Sequence, residues 1–199
     1  MLKEQFLGRN PTHFQVNPVV KAFIISEGFL WSAYNFVLPL FAVFVLNNIR
    51  GGNVQVAASA YSSFLIVRVI FELITCKYFG RSNESNKFIT TIAGMLLISL
   101  GYLGFAFSNG VMSLFVFFGI VGMGLGIASP VKNSLFATHL DKNKETTEWG
   151  IYDAVTFIGM ASTAALGGFI ASQYGFNFLF ILAAIINFIG IVPYLLYIR

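Results

Sequence analysis

The sequence predicts an all-α membrane protein of six transmembrane helices, and three observations carry that reading. Hydrophobic residues make up 57% of the 199 and charged residues only 10%, with a mean hydropathy of +0.78. Soluble domains run near half apolar and a quarter charged, so a water-facing surface cannot be built from this composition. The apolar residues also recur in six long runs, each able to cross a hydrocarbon core of about 30 Å as a helix. Finally, the connectors between the runs are short and carry turn chemistry, which leaves no room for a soluble domain.

The spans fall at about 21–47, 54–79, 87–107, 111–139, 149–173 and 176–198. The first follows a polar segment, residues 1–20, containing Lys3, Glu4, Arg9, Asn10 and His13. That segment lacks the pattern of a cleavable signal, so the first run reads as a retained span that also directs insertion. The connectors are Asn47 to Asn53, Gly80 to Asn83, Ser108 to Gly110, the charged Asp141 to Glu148, and Tyr174 to Asn177. Pro39 and Pro130 occupy similar depths in the first and fourth spans, the pattern of a repeat of three helices.

Charge placement sets the expected orientation. With the amino terminus inside, Lys3, Arg9, Lys21, Lys77, Arg81, Lys87, Lys142, Lys144 and Arg199 are cytoplasmic, and Arg50 alone is outside. Both termini are then cytoplasmic, and a cell (inner) membrane is the expected location. The net charge of +4 and pI near 9.3 do not signal nucleic acid, because the basic residues sit at helix ends rather than in an aromatic-interleaved patch. Cys76 is the single cysteine, which excludes an intrachain disulfide. His13 and His139 stand alone, and no nucleophile–base set, catalytic carboxylate pair or metal spacing occurs. Enzyme activity, a cofactor and a bound metal are therefore not expected.

The stretch from Gly119 to Gly168 is the most specific in the chain. It holds the glycines Gly119, Gly122, Gly124 and Gly126, then Ser129 and Pro130. A charged loop from Asp141 to Glu145 follows, then Trp149, Gly150, Tyr152 and Asp153, and finally Gly159, Gly167 and Gly168. This layout resembles the major facilitator superfamily (MFS), whose fourth or tenth helix carries a glycine ladder and a proline before a basic loop and a glycine-rich helix. No arginine precedes the ladder, so the resemblance is to the carboxyl-terminal half. Thr163 and Ala164 stand where the antiporter motif of the family has Gly-Pro, and antiport is not inferred. The family's loop between second and third helices survives as Lys77, Tyr78, Phe79, Gly80 and Arg81, with Lys77 at the acidic position.

The resemblance implies a six-helix half with a 3+3 inverted repeat, and full-length members have two such halves. A chain of this length beginning with methionine is then a stand-alone half or part of a split system. The leading expectation is alternating-access transport of a small polar or charged solute by a homodimer in the bilayer. The alternatives are one half of a heteromeric transporter, with a second six-helix membrane subunit as partner, and a non-transporting assembly or scaffold protein.

Five ionisable residues fall inside the spans: Glu27, Arg68, Glu72, Lys132 and Asp153. Each costs roughly 2.5–3.5 kcal/mol to place at mid-bilayer, so they should face protein or a watery cavity and share a network. Glu27, Trp31, Tyr34, Asn35 and Leu38 lie on one helical face. That stripe is either aimed at substrate, or is a packing face with Glu27 snorkelling to the surface. In the resembled family the first helix of each repeat lines the cavity, which adds Ser129, Lys132 and Asn133. Arg68 and Glu72, one turn apart, suit a structural or gating pair or direct substrate or proton handling, and Asp153 suits a cytoplasmic-surface or loop-capping role or proton coupling. Protonation of Glu27 or Glu72 is the expected coupling step. Gly122, Gly126, Gly159, Gly167 and Gly168 are expected to allow close helix packing.

Overall fold

The computed structural model describes residues 16–196, so most of the 1–20 segment, His13 and the terminal Arg199 lie outside the described residues. Helix α1, Pro18–Val37, starts where Asn17 accepts from the Val19 N–H at 2.9 Å and Pro18 takes a position needing no amide hydrogen. It ends in a 3₁₀ turn at Leu38–Leu40, because Pro39 lacks the donor that an α-turn requires. Helix α2, Phe41–Asn48, completes the first span.

Four further spans follow: α3, Val54–Phe79; α4, Glu84–Ala106; α5, Val111–His139; and α6, Glu145–Tyr174. Asn53 and Asn83 cap α3 and α4 by accepting from Val56 and Asn86. Pro130 sits inside α5 without interrupting it. Helix α6 begins a turn before the apolar run, because Glu145 and Glu148 place carboxylates in its positively polarised first turn. Gly175, at φ +83°, turns the chain into α7, Phe176–Ile189. The last span then breaks at Gly190 and Ile191 and resumes as α8, Val192–Leu195.

These six spans pack as two interchangeable triplets. The first span lies against the fifth and sixth, the fourth lies against the second and third, and the third and sixth meet. Exchanging spans one to three with four to six maps the 1–5 contact onto 4–2 and the 1–6 contact onto 4–3. Three crossings per triplet reverse the chain direction, so the repeat is inverted. A backbone hydrogen bond from Arg50 N to Asn109 O, 3.1 Å, ties the first and third connectors together at one end of the bundle.

Bare backbone makes the tightest crossings. A Cβ on Gly94 would lie 2.6 Å from the Gly124 carbonyl, and one on Gly124 would lie 2.6 Å from that of Gly94. On other faces of α5, Gly122 abuts the Phe64 carbonyl and Gly126 that of Arg68. Gly159 and Gly167 of α6 meet Ser32 and Phe36 of α1, whereas Gly168 has nothing within 4 Å of a Cβ position. Between these crossings stacked rings fill the core, with Phe118 against Phe41 at 4.4 Å and Phe64 at 4.9 Å.

Spans two and five stand at the outside: only 17% and 11% of their most apolar windows are buried, against 44–56% for the other four. They expose Ile66, Val69, Leu73, Phe157, Ile158 and Phe169. An apolar surface of that extent is stable only against lipid or other protein.

Candidate functional site

Glu27, on the inner face of α1, is 1% exposed. A carboxylate at that depth must be compensated, and four helices contribute donors. Lys132 of α5 donates to Oε2 at 2.6 Å, Tyr152 of α6 donates to the same oxygen at 3.0 Å, and Trp31 Nε1 donates from one turn along α1 at 3.1 Å. Tyr194 of α8 approaches Oε1 at 3.5 Å, the long limit for a hydrogen bond. Lys132 is 3% exposed, and its Nζ lies 5.9 Å from the centre of the Trp31 ring. The lysine is thus held by one carboxylate and one aromatic face.

Local geometry explains each placement. Residues 27 and 31 are one helical turn apart, so indole and carboxylate share a face. Lys132 lies one turn beyond Ala128 and Ser129 on α5, and its long side chain carries the ammonium across to the Glu27 carboxylate on α1. Tyr152 is steered by its ring, which packs 5.2 Å from Phe136 and 5.4 Å from Trp149. The break in the last span brings Tyr194 inward. Ser26 donates to the Gly190 carbonyl freed by that break, and Asn187 donates to Met95 O and Ser99 Oγ, both at 2.8 Å. These bonds fix the sixth span against the first and third.

The remaining sequence candidates are distributed around this cluster. Tyr34 packs edge-on to Trp31 at 5.7 Å, and the Asn35 amide donates to the Trp31 carbonyl at 3.2 Å. Asn133 is exposed and outside the cluster, while Ser129 is buried. The five intramembrane charges do not form one network, contrary to the expectation from their clustering. Arg68 and Glu72 make a separate pair within α3 at 3.7 Å, with side chains 27% and 40% exposed. Asp153 is exposed and has no ion-pair partner among the described residues. The rotation of each helix separates residues that depth alone would group.

Sequence reasoning missed Tyr152 and Tyr194. Tyr152 carried one usable signal, its place beside Asp153 at the polar end of a span. Tyr194 carried only an indirect one, the neighbouring Pro193 that breaks the last span, because its approach depends on how the chain resumes after Gly190.

A cleft of about 220 Å³ opens beside the cluster, lined by Trp31, Tyr152, Asp153, Thr156, Phe157 and Met160. A second groove of about 350 Å³ lies further along the first span, between Leu38, Phe41 and Ala42 on one side and Val54, Ala57, Ala58 and Tyr61 on the other. Two inverted helix triplets surrounding a buried, charged centre with a cleft beside it define the architecture of a membrane transporter domain. The chain belongs to the Major Facilitator Superfamily, whose family model matches residues 22–199.

Comparisons with individual proteins agree. The chain is 26% identical over 127 residues to the bacillibactin exporter of Bacillus subtilis (strain 168), a match covering 61% of this chain and 31% of the exporter. Its fold superimposes on the POT family transporter PepTSo with a TM-score of 0.80 at 15% identity, covering 92% of this chain and 37% of that one. An auto-inhibited POT family peptide transporter gives 0.76 at 18% identity, covering 90% and 37%. The chain thus spans about a third of the length of the relatives it matches.

Proposed function

We propose that this chain is one six-helix half of an alternating-access transporter for a small polar or charged solute, completed in the membrane by a second copy of itself. The observation that carries this reading is the Glu27–Lys132 pair, which joins the first spans of the two triplets inside the bilayer-spanning region. A purely structural junction is served as well or better by apolar residues, since burying two charges costs more than it returns unless both are well paired. A pair that can be opened by protonating Glu27, or by a solute group competing for Lys132, instead gives the two triplets two alternative arrangements.

Trp31, Tyr34 and Asn35 form the solute-facing wall beside Glu27, with Lys132 opposite, while Asn133, turned outward, faces the solute only from the side of the second copy. Arg68, Glu72 and Asp153 serve gating or proton handling from the flanking spans. The proposed orientation puts both termini in the cytoplasm of a cell carrying the protein in its inner membrane. Relatives that include an exporter and peptide transporters support solute movement as the activity.

The decisive experiment is uptake into proteoliposomes under an imposed pH gradient, with a radiolabelled dipeptide, an organic anion and an organic cation as probes. Uptake of at least one probe by the wild type, lost in Glu27→Gln while the protein mass in lipid nanodiscs stays that of a dimer, supports the reading. Undiminished uptake by Glu27→Gln removes its central residue. A second, different six-helix subunit in the purified complex replaces the homodimer with a heteromer, and absence of transport for all three probes favours an assembly or scaffold role.

A further inference from the structure

The charges around the cleft beside Trp31 do not balance. Glu27 and Lys132 neutralise one another at 2.6 Å, and Arg68 and Glu72 do the same within α3. Asp153 lines the cleft and is exposed, and it has no ion-pair partner among the described residues. The cleft therefore carries one uncompensated negative charge. A bare carboxylate facing hydrocarbon is costly, so Asp153 must face water or a cation.

The rest of the lining is aromatic or apolar. Trp31, Tyr152 and Phe157 bring three rings to a space of about 220 Å³, with Met160 and the buried Thr156 completing the wall. Aromatic faces carry negative electrostatic potential and attract cations with weakly hydrated, apolar surfaces. A carboxylate flanked by rings disfavours anions and gives little to neutral solutes beyond apolar contact. The volume suits a headgroup with one ring attached, rather than a polypeptide.

We propose that this cleft recognises an organic cation, an alkylammonium group bearing an aromatic or apolar substituent. Asp153 supplies the counter-charge, while Trp31, Tyr152 and Phe157 supply the ring faces. The inference rests on the transporter reading and narrows its solute class from polar or charged to cationic and amphipathic. It also gives Tyr152 a second role: its hydroxyl donates to Glu27 while the residue lines the cleft, so a bound cation bears directly on a hydrogen-bond partner of Glu27.

The test is equilibrium binding of radiolabelled phenyltrimethylammonium to the full chain in detergent, with benzenesulfonate as an anion of similar size. Wild type should bind the cation and not the anion. Asp153→Asn should weaken cation binding about tenfold, Asp153→Glu should retain most of it, and Phe157→Leu should lose about threefold to fivefold. Equal binding of cation and anion, or an unchanged affinity in Asp153→Asn, overturns the proposal. Circular dichroism and elution volume verify that each variant is folded. Wild-type uptake of the same cation separates the two readings: Asp153-dependent binding with uptake supports both, whereas Asp153-dependent binding without any uptake leaves the site standing and removes transport.

Discussion

Glu27 and Lys132 meet at 2.6 Å across the junction of the two helix triplets, both almost completely buried. Removing one partner leaves the other charge buried and uncompensated, so Lys132→Met should cost about 3–5 kcal/mol of stability. Glu27→Gln combined with Lys132→Met removes both charges and should recover most of that loss. Thermal melting in detergent reads both, and a double variant no more stable than Lys132→Met contradicts the pairing argument.

Arg68 and Glu72 should behave differently, although they are also an intramembrane pair. They lie within one helix, partly exposed and 3.7 Å apart. Pairs of that kind contribute less than about 1 kcal/mol. Arg68→Gln and Glu72→Gln should therefore melt close to the wild type. A drop as large as that of Lys132→Met would show the pair to be structural.

The crossing of α4 and α5 is set by backbone contact at Gly94 and Gly124, each of which would put a Cβ 2.6 Å from the other's carbonyl oxygen. Neither carbonyl can move without breaking helical hydrogen bonds, so Gly94→Ala and Gly124→Ala should each sharply lower Tm or prevent folding. Gly168→Ala is the control, because a Cβ there meets nothing within 4 Å. It should melt at or slightly above the wild type, since alanine favours the helix by about 1 kcal/mol.

Orientation can be read from the native cysteine. Cys76 is exposed near the carboxyl end of α3, at the end of the bundle opposite the Arg50–Asn109 hydrogen bond. If the termini are cytoplasmic, a membrane-impermeant maleimide should label Cys76 in inverted vesicles but not in right-side-out ones. A cysteine introduced at Asn109 in a Cys76→Ser background should show the reverse. Labelling from the opposite sides would invert the proposed topology.

Much of the fold was legible in the sequence because lipid imposes simple demands. Backbone groups in hydrocarbon must be satisfied within the segment, so long apolar runs can only be helices. Their short connectors force neighbouring helices to run antiparallel. Pro39 similarly marks a break, since a missing amide hydrogen acts locally. Pro193 likewise marks the break in the last span at Gly190 and Ile191, but nothing local announced that the Ser26 bond to the freed Gly190 carbonyl would hold it.

The site was legible only in part, for a geometric reason. A polar residue within a span announces that it needs a partner, and Glu27, Lys132, Arg68, Glu72 and Asp153 all stood out on that ground. A helix period places residues on a face but does not say toward which neighbour that face turns. Thus Lys132 points at Glu27 while the next residue, Asn133, points out, and Asp153 faces a cleft while Tyr152 beside it reaches inward. Composition and hydropathy by themselves determined that the chain crosses the membrane six times as helices, because solvation decides that residue by residue. The tertiary structure decided which charges cancel and which remains, because that depends on how each helix is rotated and how closely its glycines let another approach.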